Sequence, residues 1–279
     1  MINVLKYKID NLIFTGDLHG NFEAIRFQIK NQKIKNSLMV FCGDIGFGFE
    51  SPKHYQPILK KIDNLCEKYN NYIVFIRGNH DDPSYFDNKV VNYDRVKAVS
   101  DYTILTINKI GEDDNEIIHN ILCIGGGISI DRLNRINRYN SLINHLKKFV
   151  SEEKAIEKTR KLYWENEKNV YDEDKLNEIC NNFNIDIISS HTCPSFCGTK
   201  NKNGVSYWML IDKDLSKDLD EERSTMDKIY DFIKLKGIHL KYWFYGHFHS
   251  NQEEEFDNTK FIMIDMERYS NLVFKKIIL

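Results

Sequence analysis

Proline is scarce in this 279-residue chain, four in all, so long elements can run without forced breaks. No stretch approaches the roughly 18 consecutive apolar residues of a membrane-spanning helix. The first ten residues hold neither a long apolar core nor a small-residue cleavage site, so no signal peptide is expected. Net charge is small as well, −2, and no global basic field directs the chain to nucleic acid, although a local patch remains open. Cys-x-x-Cys pairs are missing. The six cysteines (42, 66, 123, 180, 193, 197) are too scattered for a small secreted disulfide scaffold, and a reducing cytoplasm is the expected home. Cys193 and Cys197 follow His191 closely and could suggest a zinc knot, but the spacing argues against it.

What is present is the composition of an ordinary globular protein, 42% hydrophobic and 29% charged, read as one domain over residues 1–279. Short apolar runs alternate with amphipathic stretches, the pattern of an α/β fold. Strands are expected at Leu12–Thr15, Leu38–Cys42, Tyr72–Arg77, Thr103–Ile107, Ile117–Ile124, Ile185–Ser189, Tyr242–Tyr245, Phe261–Asp265 and Leu272–Lys275. Helical spacing marks Phe22–Ile29, Ile58–Tyr69 and Thr225–Leu235. From about Asp131 to Phe183 there is no strand signal, proline or glycine, and this stretch reads as a helical insertion. The polar run Thr199–Gly204 and the acidic cluster Asp212–Glu222 read as solvated loops.

The strand ends carry the chemistry. One strand runs into Gly16-Asp17-Leu18-His19-Gly20, another into Gly43-Asp44 and a third into Gly78-Asn79-His80-Asp81. Two more reach His191 and Gly246-His247-Phe248-His249. Ligand sites of α/β sheets lie at carboxyl ends of strands, so these loops can converge. Together they offer oxygen and imidazole donors without thiolate, a set suited to a pair of divalent ions acting on phosphate esters. In the two Asp/His-x-His segments an extended backbone would aim residues i and i+2 the same way. Taken singly, each histidine could be structural, Asp17 and Asp44 could be helix caps and Asn79 could serve a turn. Coincidence at five strand ends speaks against that.

The ordered set Asp-x-His, Gly-Asp, Gly-Asn-His-Asp, lone His and Gly-His-x-His resembles the calcineurin-like metallophosphoesterase superfamily over nearly the whole chain. The resemblance implies a four-layer αββα sandwich of two mixed sheets flanked by helices, with the insertion at about 131–183 added. It implies one metal held by Asp17, His19, Asp44 and His249 and another by Asp44, Asn79, His191 and His247. His80 would then stand beside the leaving-group oxygen as general acid or charge stabiliser. The longer Gly-Asp-x-x-Asp-Arg-Gly motif of some members is absent: Phe47 and Gly48 stand where its Asp and Arg would be. Arg77-Gly78-Asn79-His80 looks like the phosphoprotein phosphatases, and the missing pair puts that assignment in doubt.

Phosphate recognition must then come from elsewhere. Gly125-Gly126-Gly127-Ile128-Ser129-Ile130-Asp131 leads into Arg132, Arg135 and Arg138, which share one broad helix face and could contact phosphate or simply be solvated. A similar Gly-Gly-x-x-Ser-x-Asp stretch with a later Trp-x-x-Glu, here Trp164 and Glu167, resembles a bacterial and phage subgroup. The expected protein is a cytoplasmic binuclear hydrolase of phosphate esters, with metal-bound hydroxide attacking phosphorus. Mn²⁺ is the first choice of ion, with Fe, Zn or Ni open. A phosphodiesterase on nucleotides or nucleic acid is preferred to a phosphomonoesterase or protein phosphatase, and to a non-catalytic scaffold of the same fold.

Overall fold

The computed structural model describes residues 2–87, 90–110, 116–198, 204–268 and 272–278. Of the expected loop Thr199–Gly204, all but Gly204 lies outside the described residues. Two mixed sheets form the centre. One holds five strands, in the order β12 (Phe274–Ile278), β2 (Asn11–Thr15), β3 (Ser37–Phe41), β4 (Tyr72–Phe75) and β5 (Val96–Ala98). The other holds seven: β1 (Val4–Lys8), β6 (Thr103–Ile110), β7 (Glu116–Ile124), β8 (Ile187–Ser190), β9 (Tyr242–Tyr245), β11 (Thr259–Met263) and β10 (Gln252–Phe256). In the five-stranded sheet β2 to β5 run parallel and β12 antiparallel.

The central parallel strands are apolar on both faces because both faces are covered. In β3, Leu38 and Val40 face the other sheet, while Met39 and Phe41 face helices. The inter-sheet core sets Leu12, Phe14, Leu38, Val40 and Val74 against Leu105, Ile121, Ile187, Phe244 and Ile262. Phe14 and Phe244 stack with ring centroids 3.9 Å apart, a contact worth about 0.5–1.5 kcal/mol beyond its buried area. Outside the five-stranded sheet lie α1 (Phe22–Asn31) and α2 (Pro52–Lys68). Their apolar residues recur at helical spacing, Phe22, Ile25 and Ile29 in one, Tyr55, Leu59, Ile62 and Cys66 in the other. Outside the seven-stranded sheet lie α5 (Glu173–Asn182) and α7 (Leu215–Leu235), through Leu176, Ile179, Met226, Ile229 and Ile233. The result is the expected four-layer αββα sandwich.

Between β7 and α5 the chain leaves the layers as α3 (Arg132–Leu146) and α4 (Glu152–Lys158), and α3 buries only Arg132. The acidic cluster is not a loop: α6 (Val205–Ile211) precedes it and most of it forms the first turns of α7. Acidic groups suit a helix start, and Asp212 and Glu222 are buried rather than solvated. Among the described residues, no helix is long and apolar enough to cross a membrane.

Candidate metal centre and active site

All five motifs sit just past strand ends, at one edge of the sandwich. The loops after β2 and β3 are tied together: Leu18 and His19 donate their amides to the Asp44 carbonyl at 3.0 and 2.8 Å. The loops of the two sheets are joined where the His247 amide donates to Asp17 Oδ1 at 3.0 Å. The backbone here is not the extended one expected from the i, i+2 spacing. His19, Asp44, His247 and His249 all have left-handed φ, of 48°, 49°, 66° and 52°. These segments lie beyond the sheet ladders, in tight turns that no longer alternate side chains across two faces. Each such residue costs on the order of 1–3 kcal/mol, which surrounding structure or a ligand must offset.

Two donor clusters meet on Asp44. In the first, ligand atoms of Asp17, His19, Asp44 and His249 all lie within 4.8 Å of one another. His19 Nε2 is 3.4 Å from Asp44 Oδ2, and His249 Nε2 is 3.0 Å from Asp17 Oδ2. In the second, His191 Nε2 lies 3.3 Å from Asp44 Oδ1, 2.9 Å from Asn79 Oδ1 and 3.1 Å from His247 Nδ1. The far nitrogen of His191, Nδ1, is 2.8 Å from the Cys42 carbonyl, an arrangement that leaves Nε2 facing the cluster. Two glycines permit the approach. A Cβ on Gly43 would lie 2.2 Å from His191 Nδ1, and one on Gly78 would lie 2.1 Å from Asp44 Oδ1.

Burial works to raise both carboxyls, but the imidazoles outweigh it. His249 and His191 hold Asp17 below the usual carboxylate range, and His191, His80 and His19 hold Asp44 well below it. Asp17 Oδ2, Asp44 Oδ2 and His249 Nε2 are buried, and although the His249 and His19 nitrogens come within 3.0 and 3.4 Å of the two carboxylates, these atoms make no well-directed hydrogen bond among the described residues. Unsatisfied buried groups of this kind cost about 1–3 kcal/mol each. Convergent carboxylate, amide and imidazole donors with unsatisfied lone pairs fit divalent cations, and the residues present fit a pair. No cysteine joins the group, and Cys193 and Cys197 instead turn their thiols to the carbonyls of Cys197 and Pro194.

His80 stands over the carboxylate that the two clusters share, its Nε2 4.0 Å from Asp44 Oδ2. Of the three arginines expected at phosphate, only Arg135 reaches this point, with Nη2 3.5 Å from His80 Nε2. Arg132 is a structural staple: its guanidinium is buried and bonded to Asp212 at 2.6 Å and Asp218 at 2.5 Å. Arg138 lies a turn further along α3, exposed. Arg77 turns away from the metals and binds the carbonyls of Asn166, Glu167 and Lys168 and the carboxylate of Asp101.

Motif spacing marks Asp81, Ser129, Trp164 and Glu167 without showing what they do. Asp81 accepts four amides, from Ile45, Gly46, Phe47 and Gly78 at 2.7–3.0 Å, and so locks the β3 and β4 loops together. Burial and the Asp44 charge push its carboxyl up to about 7 against the pull of those amides. Asn79 Nδ2 donates to Ser129 Oγ at 2.9 Å, and Ser129 Oγ in turn donates to Glu167 Oε2 at 2.5 Å. Glu167 is pushed up to about 8 by burial, against those Ser129 bonds. Trp164 packs against Gly48, where a Cβ would lie 2.6 Å from the indole, so the space of the missing family arginine is closed by the insertion. Glu222 accepts the Ile128 amide at 2.5 Å and lies 4.0 Å from His247 Nε2.

The sequence from residue 11 to 195 matches the model of the calcineurin-like phosphoesterase family. The chain belongs to that family. His247 and His249 lie beyond the matched residues, and the fold brings them to the same cluster. This phosphoesterase is therefore a metal-dependent hydrolase of a family that works with two metal ions. Among solved structures, a dimetal phosphatase from Danio rerio is 12% identical, with 97% of this chain and 93% of that one covered at a TM-score of 0.51. GAP50, the anchor in the inner membrane complex of Plasmodium, is 13% identical over 91% of this chain and 71% of that one, TM-score 0.44. Phosphopantetheinyl hydrolase from Mycobacterium tuberculosis is 10% identical over 95% of each chain, TM-score 0.41. At such identities the likeness is one of fold. Among curated proteins, none matches the sequence.

Proposed function

We propose that this phosphoesterase cleaves phosphodiesters of nucleotides or nucleic acid, with Asp17, His19, Asp44 and His249 holding one ion and Asp44, Asn79, His191 and His247 the other. The reading is carried by the cation count facing the bridging carboxylate. Among the described residues, His80 and the guanidinium of Arg135 stand there beside the donor clusters, and Arg135 is already engaged by Asp131 Oδ1 at 2.7 Å and the Leu162 carbonyl at 3.2 Å. A diester bears one negative charge where a monoester at neutral pH bears nearly two, so the sparse cation set suits the diester. Mn²⁺ is the proposed ion for this oxygen-and-imidazole set.

The ions, when bound, polarise the phosphoryl oxygens and make water acidic enough to attack at neutral pH. The chain's own residues supply position and the proton. To act as general acid, the His80 ring would be the imidazolium, with a proton on each nitrogen and Nε2 turned toward Asp44. Nε2 faces Asp44 and Arg135, where the leaving oxygen would lie. Water oxygen joins phosphorus and releases one proton to solvent, the ester P–O bond breaks, and the leaving oxygen takes the Nε2 proton, which solvent then restores to His80. The test compares kcat/KM for bis(p-nitrophenyl) phosphate and p-nitrophenyl phosphate on protein of measured metal content. Faster diester hydrolysis at two ions per chain supports the reading. A monoester preference overturns it, and a metal-loaded protein inert to both returns the scaffold reading.

A further inference from the structure

We infer that the cavity between α3 and the chain after α4 binds the leaving group of the substrate, and that this group is a nucleoside bearing its own phosphate. The inference rests on the phosphodiesterase reading. The cavity encloses about 520 Å³, within the roughly 300–1,000 Å³ of small-molecule sites. It adjoins the catalytic edge, because Arg135 both lines it and approaches His80 Nε2 at 3.5 Å.

Its wall is ordered along α3. Arg135, Arg138, Tyr139, Leu142 and Leu146 recur at helical spacing on one face and all line the cavity. That face extends about 16 Å at a helical rise of 1.5 Å per residue. Charge lies nearest His80, an aromatic ring follows, and aliphatic groups end the wall. Lys158 adds a second cation from the opposite side. Arg135 is held by Asp131 and Arg160 by Glu50, whereas neither Arg138 nor Lys158 has a hydrogen-bond or ion-pair partner among the described residues. Leu142 remains 45% exposed on a helix that buries only Arg132, so this face does not serve the core.

An anion one helical turn from the scissile phosphate would meet Arg138 and Lys158 together, and guanidinium forks match phosphate oxygens. A flat base beyond it would lie on Tyr139 and Leu142, surfaces that suit a π-face. In the reaction, water oxygen bonds to phosphorus, the P–O bond to the ribose oxygen breaks, and that oxygen departs with the His80 proton as the hydroxyl of a nucleoside phosphate. The same chemistry is offered by a free dinucleotide and by the end of a longer strand.

The test uses two dinucleotides with the same scissile bond, one with a 5′-phosphate on the 3′-oxygen leaving nucleoside and one without. The metal-loaded protein is expected to favour the phosphorylated one at least tenfold in kcat/KM. The double variant Arg138→Ala, Lys158→Ala is expected to bring that ratio near one and to weaken calorimetric binding of AMP at least tenfold. Both side chains are exposed, so the variant folds. A 5′-phosphorylated decamer cleaved faster than the dinucleotide assigns the site to a strand end, and the reverse order to free dinucleotides; either supports the inference. Cleavage of both dinucleotides at equal rates, or a ratio and AMP affinity unmoved by the double variant, overturns it. Failure to cleave any diester overturns the phosphodiesterase reading instead, and AMP affinity still reads the cavity directly.

Discussion

Asp44 presents Oδ2 to one donor cluster and Oδ1 to the other, so a single carboxylate fixes where both halves of the site lie. Asn79 is the least constrained donor chemically, since an amide can turn either its oxygen or its nitrogen inward. Ser129 decides the matter by accepting Nδ2, which leaves Oδ1 toward His191, and Glu167 holds Ser129 in place. Ser129→Ala should therefore weaken the ion shared by Asn79, His191 and His247 by roughly 10–100-fold and spare the other. Stepwise metal titration reads this, and two unchanged affinities would mean that Asn79 is oriented by other contacts. His80 calls for the opposite outcome. His80→Ala should keep both ions but lower turnover by roughly 10²–10⁴-fold on esters with poor leaving groups. A variant that loses one ion, with residual rates indifferent to leaving-group pKa, would make His80 a ligand. The donors and His80 are legible in the sequence because each follows an apolar strand at fixed motif spacing. Ser129 and Glu167 stand out in the sequence as well, but their roles do not, because those depend on a contact 38 residues apart in the chain.

At the level of elements, the insertion and the sandwich exchange parts. Gly48 leaves room that Trp164 fills, and Arg135 brings a guanidinium to the edge from α3. The start of α3 is fastened to α6 and α7 by Arg132, through Asp212 and Asp218, and Lys168 also pairs with Asp218 at 2.5 Å. Removing the guanidinium leaves the buried Asp212 carboxylate without its countercharge, while the partly buried Asp218 keeps only Lys168 among the described residues. Arg132→Ala should thus destabilise the protein by about 3 kcal/mol, and adding Asp212→Asn and Asp218→Asn should recover part of the loss. Denaturant midpoints of the three proteins check this; an additive, worsening series would show that the charges are not coupled. The same pairing explains why the acidic cluster is misread as a solvated loop. Acidic side chains look solvent-exposed in sequence, and only the fold sets Arg132 against them. Strand β10, Gln252–Phe256, escapes for a related reason: it is an acidic edge strand, recognisable only by pairing with β11 across Asp257 and Asn258, both in left-handed conformation.

Across the whole molecule, the site lies where two sheets that share a core also share an edge. Asp17, His19, Asp44 and Asn79 follow strands of the five-stranded sheet, whereas His191, His247 and His249 follow strands of the seven-stranded one. Each proposed ion would draw donors from both sheets, so bound ions would clamp the two layers together as well as serve the chemistry. They would also offset the left-handed turns at His19, Asp44, His247 and His249 and the incompletely satisfied buried atoms of Asp17, Asp44 and His249. Binding to the folded state alone, at a free concentration a hundredfold above Kd, contributes about 2.7 kcal/mol per ion. For a chain of this size that corresponds to about 5 °C in Tm for each ion. Chelation should therefore lower Tm by roughly 10 °C when both sites are emptied, with hydrogen-exchange protection lost together in the loops after β2, β3, β8 and β9. Asp44→Asn supplies the control, because loss of the shared carboxylate weakens both ions at once. Its Tm should already be low and should barely respond to chelator. A variant that still drops by the full interval would show that the ions bind without Asp44, and a loss of protection confined to one sheet's loops would show that they do not bridge the two layers.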